Sequence, residues 1–196
     1  MLNMDKEAIK ELLEMEAVPV CNILGSLLGR NVKMTVSGVE ETDTDGLAEC
    51  LPHFNVVIEG RRTANGLTAD ELLVFSKEDM VRLTNYIMGV PIDTDCPLDE
   101  IALSTLKEVA SQCMTAAVAE LNDFLGRDMG EFITRISAYD NTERVQDLTR
   151  VWGMGSPFVI ARLHYTIDGV VDSDAYILAS QTMRQVLGIP VMEEMP

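Results

Sequence analysis

Four side chains with acid, hydroxyl or amide chemistry fall three and four residues apart in one stretch: Glu108, Ser111, Gln112 and Thr115. On a helix that spacing puts them on one face. A carboxylate flanked by an amide and hydroxyls can anchor a partner or orient a water molecule. A solvated helix face has the same composition, so the residues alone leave both readings open.

The elements that would position this face come from a repeat. Lys10-Glu11 matches Lys107-Glu108, Leu24 matches Leu121, and Leu28-Gly29-Arg30 matches Leu125-Gly126-Arg127, all at an offset of 97 residues without a gap. Further on, Asn65-Gly66 resembles Asp168-Gly169, Ser76 and Met80 resemble Ser180 and Met183, and Gly89-Val90-Pro91 resembles Gly188-Ile189-Pro190. The sequence therefore reads as a tandem duplication packed as a single domain, residues 1–97 and 98–196.

Each half has the same periods. Leu106, Val109, Cys113, Ala117, Leu121 and Phe124 form an apolar stripe, predicting a helix over 99–125 that ends at Gly126. Its counterpart is predicted from about 5 to 28, ending at Gly29, with Pro19 introducing a kink or dividing it into two pieces. Strands are expected at 32–39, 54–59 and 72–76, and again at 132–139, 158–167 and 176–179. Asn65-Gly66 and Asp168-Gly169 mark hairpins, and short helices near 77–88 and 181–187 close the halves. The expectation is an α+β fold: a helix–three-strand–helix unit used twice, giving a six-stranded, mainly antiparallel sheet with two long helices packed on it.

The helix face then resembles a known signature. In the CheC/CheX/FliY family of response-regulator phosphatases, a helix carries Asp or Ser, three residues, Glu, two residues, then Asn, with an apolar-Gly-basic ending eighteen residues past the Glu. Here Ser104, Glu108 and Ser111 keep that spacing and are followed by Gly126-Arg127; Glu7, Glu11 and Glu14 keep it too, followed by Gly29-Arg30. The resemblance covers the whole chain, because CheC-type members are duplicated units of this length. It implies binding of a phosphorylated CheY-type receiver domain and hydrolysis of its aspartyl phosphate, with the Asn amide holding the attacking water and the Glu anchoring the partner. CheD-like regulators or flagellar switch proteins are further partners that the resemblance implies, and it implies no cofactor.

The chain departs from the pattern where the amide belongs. Glu14 and Ser111 occupy the two Asn positions. Glu14 sets a negative charge against a phosphoryl group, which predicts an inactive first motif. Ser111 has the shorter reach, and Gln112 offers an amide one residue on, about 100° around the helix. The expected site is thus Glu108, Ser111 and Gln112, with Glu11 and Glu14 as its silent counterpart. Two alternatives stay open: a non-catalytic scaffold like the FliM middle domain, and a CheX-like dimer joined through an edge strand. The chain begins its repeat within ten residues and ends at Pro196 without an added module, which favours a stand-alone protein over a motor building block.

Other constellations carry less. Glu41, Asp43, Asp45 and Gly46 imitate half a calcium loop, but Pro52 stands where a bidentate Glu is needed. Cys50 and His53 lack a second ligand pair, so no metal site is expected. His164 reads as a satisfied or edge residue of a strand, Met114 as core, and Trp152 as a loop anchor or a contact between the halves. Gly153-Met-Gly155 is too short for a dinucleotide loop.

Composition sets the outer limits. The 196 residues carry 32 acidic and 15 basic side chains, a formal charge of −17. That field repels nucleic acid and anionic headgroups, which need clustered Lys and Arg. Residues 1–97 hold 17 acidic and 8 basic residues and 98–196 hold 15 and 7, so the charge is a coat on both halves rather than a tail. The start carries charges every few residues, unlike a signal peptide, and four scattered cysteines read as free thiols. A cytoplasmic protein without membrane insertion is expected.

Overall fold

The computed structural model describes residues 2–51, 54–139 and 158–189, together with Asp147 and Thr149. Helix α1 (Leu2–Leu28) leads into strand β1 (Val32–Thr42), the one-turn helix α2 (Leu47–Cys50), strands β2 (Asn55–Ala64) and β3 (Leu67–Ser76), and helix α3 (Lys77–Ile87). The second half repeats this with α4 (Glu100–Leu125), β4 (Gly130–Tyr139), β5 (Phe158–Ile167), β6 (Val171–Ala179) and α5 (Thr182–Leu187). The fold is α+β, built on a tandem duplication.

Local chemistry accounts for the boundaries. Asp99 caps α4 by accepting a hydrogen bond from the Ala102 backbone N–H, and Gly126 ends it at φ +60°. Asn65 and Gly66 both adopt positive φ, as a two-residue type I′ hairpin requires.

The six strands form one sheet in the order β1-β5-β6-β3-β2-β4, with every recorded pairing antiparallel. Exchanging the halves returns the same order. The first strand of each half crosses over, so β1 lies on the hairpin of the second half and β4 on that of the first. Helices α1 and α4 pack on each other and on one face of this sheet. The core between the helices and the sheet includes Ile9, Leu12, Val118 and Leu121 in one cluster, and Leu28, Val56, Leu106 and Leu163 in another. The opposite face buries Val57, Leu72, Phe158 and Leu178 under Leu47 and Leu51.

Several expectations are corrected. Helix α1 runs unbroken through Pro19 rather than in two pieces. Proline removes one hydrogen bond, but buried Glu16 and Ala17 before it and Leu28 after it fasten the helix to the core on both sides. Strand β2 extends past Glu59 through Arg61-Arg62, and β3 starts at Leu67 rather than Leu72, because the polar residues there are paired within the fold. Phe124, assigned to the apolar stripe, is 64% exposed. Asp43 accepts hydrogen bonds from the backbone N–H groups of Asp45 and Gly46, so the calcium-like acids form a turn before α2.

Met114 is buried as expected, and the four cysteines are free thiols. His53, Trp152 and Gly153-Met-Gly155 lie outside the described residues. Among the described residues no helix is long and apolar enough to cross a membrane, and no group of three or more His, Cys, Asp or Glu is placed to hold a metal ion.

Candidate functional site

The outward face of α4 is built by default: its inner residues Ala102, Leu106, Cys113, Ala117 and Leu121 are buried against the sheet and α1, so the residues between them turn to solvent. Glu108, Gln112 and Thr115 are exposed there and Ser111 is half-buried. Gln112 Nε2 donates to Glu108 Oε1 at 3.0 Å. The one-turn spacing therefore brings the carboxylate and the amide into direct contact and orients both. A shallow depression lies beside them, lined by Glu100, Ile101, Ser104, Thr105 and Glu108. Thr115 turns its hydroxyl inward to the Ser111 backbone carbonyl at 2.8 Å, which removes it from the set of free groups.

The counterpart on α1 differs. Glu7, Glu11 and Glu14 are exposed along one stripe, and Glu14 sits 3.9 Å from Lys10 in a helix-surface ion pair. The position equivalent to Gln112 is Met15, so this face carries carboxylates and no amide. A phosphoryl group brought to it meets only negative charge and a lysine already paired.

The repeated Leu-Gly-Arg ending has a structural use. Arg30 lies over the Tyr86 ring at 5.2 Å and donates to its hydroxyl at 2.9 Å, while that hydroxyl donates to the Leu28 carbonyl. The arginine thus ties the end of α1 to α3. In the second half Arg127 reaches the C-terminal Gly188 of α5, where any added Cβ would collide with its guanidinium. His164 on β5 is half-exposed, with Nδ1 3.0 Å from Asp174 and Nε2 3.4 Å from Asp172. It is a satisfied surface histidine.

One constellation escaped the sequence entirely. Arg62, on β2 beneath α1, is 3% exposed and faces three buried carboxylates. It makes a two-pronged contact with Glu16 of α1 and lies 3.4 Å from both Glu71 of β3 and Glu131 of β4. Burial pushes the Glu131 carboxyl well above the usual carboxylate range; Arg62 opposes this, and the Glu71 and Glu16 carboxylates reinforce it. Glu16 is also raised by burial in spite of Arg62. Arg62 itself is held even more firmly charged by its three neighbours, against the cost of burial. The signal was present as charges at inward positions: Glu16 follows Ile9 and Leu12 on the inner stripe of α1, and Arg62 follows Val56 and Ile58 on β2.

No protein-family model matches the sequence, and no curated protein sequence does. Solved structures match along nearly the whole chain. Thermotoga maritima FliY superposes with a TM-score of 0.83 at 21% identity, covering 96% of each chain. A chain of the H. pylori FliG-FliM complex gives 0.73 at 11%, covering 96% of this chain and 100% of its own. The chemotaxis protein CheX from Vibrio vulnificus gives 0.53 at 10%, covering 87% and 98%.

The fold is that of the CheC/CheX/FliY proteins. Within this CheC-like fold, α1 and α4 lie side by side on the sheet, with Glu7, Glu11 and Glu14 exposed on the one and Glu108 and Gln112 on the other.

Proposed function

We propose that the chain is a chemotaxis or flagellar-switch signalling protein that docks a phosphorylated CheY-type receiver on the outward face of α4. The observation that carries this reading is the Glu108–Gln112 contact at 3.0 Å on an exposed face beside a depression. Glu108 anchors the receiver. Gln112 donates one amide hydrogen to Glu108 and keeps its carbonyl free to accept from water, which restores an amide that Ser111 cannot supply. An acyl phosphate needs little beyond a positioned water, so one oriented amide is a sufficient catalytic element for modest acceleration. The α1 face has no such element and takes no part in the hydrolysis.

The test is phosphate release from a phosphorylated CheY-type receiver mixed with the protein. Acceleration that disappears in Gln112→Ala and in Glu108→Ala supports the assignment; decay unchanged by the wild-type protein removes the phosphatase reading.

A second reading is a scaffold of the flagellar switch. It is favoured by the closer superposition on a chain of the FliG-FliM complex than on CheX. Binding to a FliG-type protein, with no affinity for the phosphorylated receiver, would select it. A CheX-like dimer through the edge strands β1 or β4 would appear as a doubled mass in sedimentation. CheD-like regulation belongs to the same proposal and is tested by the same binding measurements. The proposed location is the cytoplasm, where phosphorylated receivers occur.

A further inference from the structure

Between α1, α4 and the sheet lies a partly open cavity of about 120 Å³. Its walls differ at the two ends. Met34, Leu163, Tyr165, Ile167 and Cys113 make one end apolar, whereas Glu16, Arg62 and Glu71 supply charge at the other. A second void of about 30 Å³ is lined by the same three charged residues, so the cluster borders both spaces. Native interiors keep few voids larger than a water molecule, and an empty one costs stability in proportion to its volume. An apolar cavity of roughly 150 Å³ takes up benzene, so this one is of a size for a ligand of about six to eight non-hydrogen atoms.

The charge balance selects the ligand's head. Three carboxylates face one guanidinium, a formal excess of two negative charges in the interior. Glu131 is not among the cavity-lining residues; its two oxygens are buried and share with Glu16 and Glu71 the one Arg62 guanidinium, 3.4 Å away. One proton held on the cluster still leaves one uncompensated negative charge, and an isolated buried charge is strongly disfavoured. A primary ammonium brings a single positive charge and three donors, which is what the cluster lacks. A carboxylate would worsen the imbalance, and an alcohol would leave it unchanged.

We propose that this cavity binds a small primary amine with an apolar body, its ammonium on the Glu16 and Glu71 carboxylates and its hydrocarbon against Met34, Cys113 and Tyr165. The site is separate from the α4 face: it is lined by inward residues of the two helices, and its occupancy does not depend on the receiver assignment.

The full chain is tested at neutral pH with hexylammonium, hexanol and hexanoate as probes of one size. Calorimetry is expected to show hexylammonium binding at one site, roughly tenfold or more tighter than hexanol, the usual gain from charged hydrogen bonds, with no binding of hexanoate. Glu71→Gln is expected to lower the preference for the amine over the alcohol. Because the acidic surface also attracts amines, the location is read from methionine methyl resonances of the wild-type protein. Met34, Met80 and Met114 line the cavity, whereas Met88 is 53% exposed on the surface. Shifts at the first three support the site. Equal affinity for amine and alcohol, no binding of the amine, or shifts confined to Met88 would each overturn it.

Discussion

The two halves place very different chemistry at equivalent points. Arg62 of β2 stands opposite Glu131 of β4, and at the matching register Tyr165 of β5 stands opposite Met34 of β1. At the repeat offset Glu16 corresponds to Cys113, and two residues along the hairpin Glu71 corresponds to Ala175. Three charged side chains of the first half, with Glu131 contributed by the second, are thus matched by tyrosine, cysteine and alanine of the second half, with Met34 contributed by the first. Outside, the contrast is reversed: α4 presents a carboxylate–amide pair, whereas α1 presents a row of carboxylates. The duplication preserves the strand order and the Gly-terminated long helices, while the two copies have specialised in opposite layers, one inside and one outside.

That contrast is best broken from the inside. Arg62→Leu leaves three carboxylates buried without a cation, and should cost about 3–5 kcal/mol in urea unfolding. The equivalent change in the other half, Tyr165→Phe, removes only a long 3.4 Å hydrogen bond to Asp79 and should cost about 1 kcal/mol or less. Similar costs at both positions would deny that the charged cluster differs energetically from its apolar counterpart.

Next in size is a pH effect. The Glu131 and Glu16 carboxyls are raised in the folded protein, chiefly by burial, so the native state holds protons to higher pH than the unfolded chain does. Their stabilising share is complete below the ordinary carboxylate range and is lost as pH rises through the raised values. Glu131→Gln removes one such loss. Melting temperatures taken from about pH 4 to 9 should show the variant gaining on the wild type as pH rises, by on the order of 1 kcal/mol at the alkaline end. A gain that shrinks with rising pH would contradict the sign. In the apolar half, burial holds the Cys113 thiol up at about 12, so thiol-reactive reagents should label it more slowly than the half-buried Cys50 in the folded protein.

The smallest expected effects on stability lie outside. Glu108→Ala and Gln112→Ala touch only the solvent face and should leave the melting temperature unchanged while altering behaviour toward the receiver. Glu11→Ala and Glu14→Ala should change neither.

Much of this was legible in the sequence. The apolar stripe and the Gly126 stop placed α4 within one residue of its observed limits, and the offset of 97 identified Gly29 as the matching helix end, because capping and apolar periodicity are local. Strand β5 was expected over its observed span, since its apolar run is bounded on both sides. The crossing of β1 and β4 to the opposite hairpins was not legible, because register between distant strands is set by tertiary packing. Strand limits failed where charge intruded: Arg61-Arg62 looked like the end of β2, whereas Arg62 continues inward to meet carboxylates from three other elements. Phe124 fits the helical period but lies beyond the area that the sheet and α1 cover. On the outer face, spacing correctly brought Glu108 and Gln112 together, since one turn of helix is all their contact requires.

The central claim is that α4, not α1, is the working face. It is tested most directly by titrating a beryllofluoride-activated CheY-type receiver into the wild-type protein, Glu108→Ala and Glu11→Ala. The account predicts saturable binding by the wild type and by Glu11→Ala, and its loss in Glu108→Ala. Binding that survives in Glu108→Ala and fails in Glu11→Ala, or a wild-type protein that does not bind the activated receiver, would contradict it.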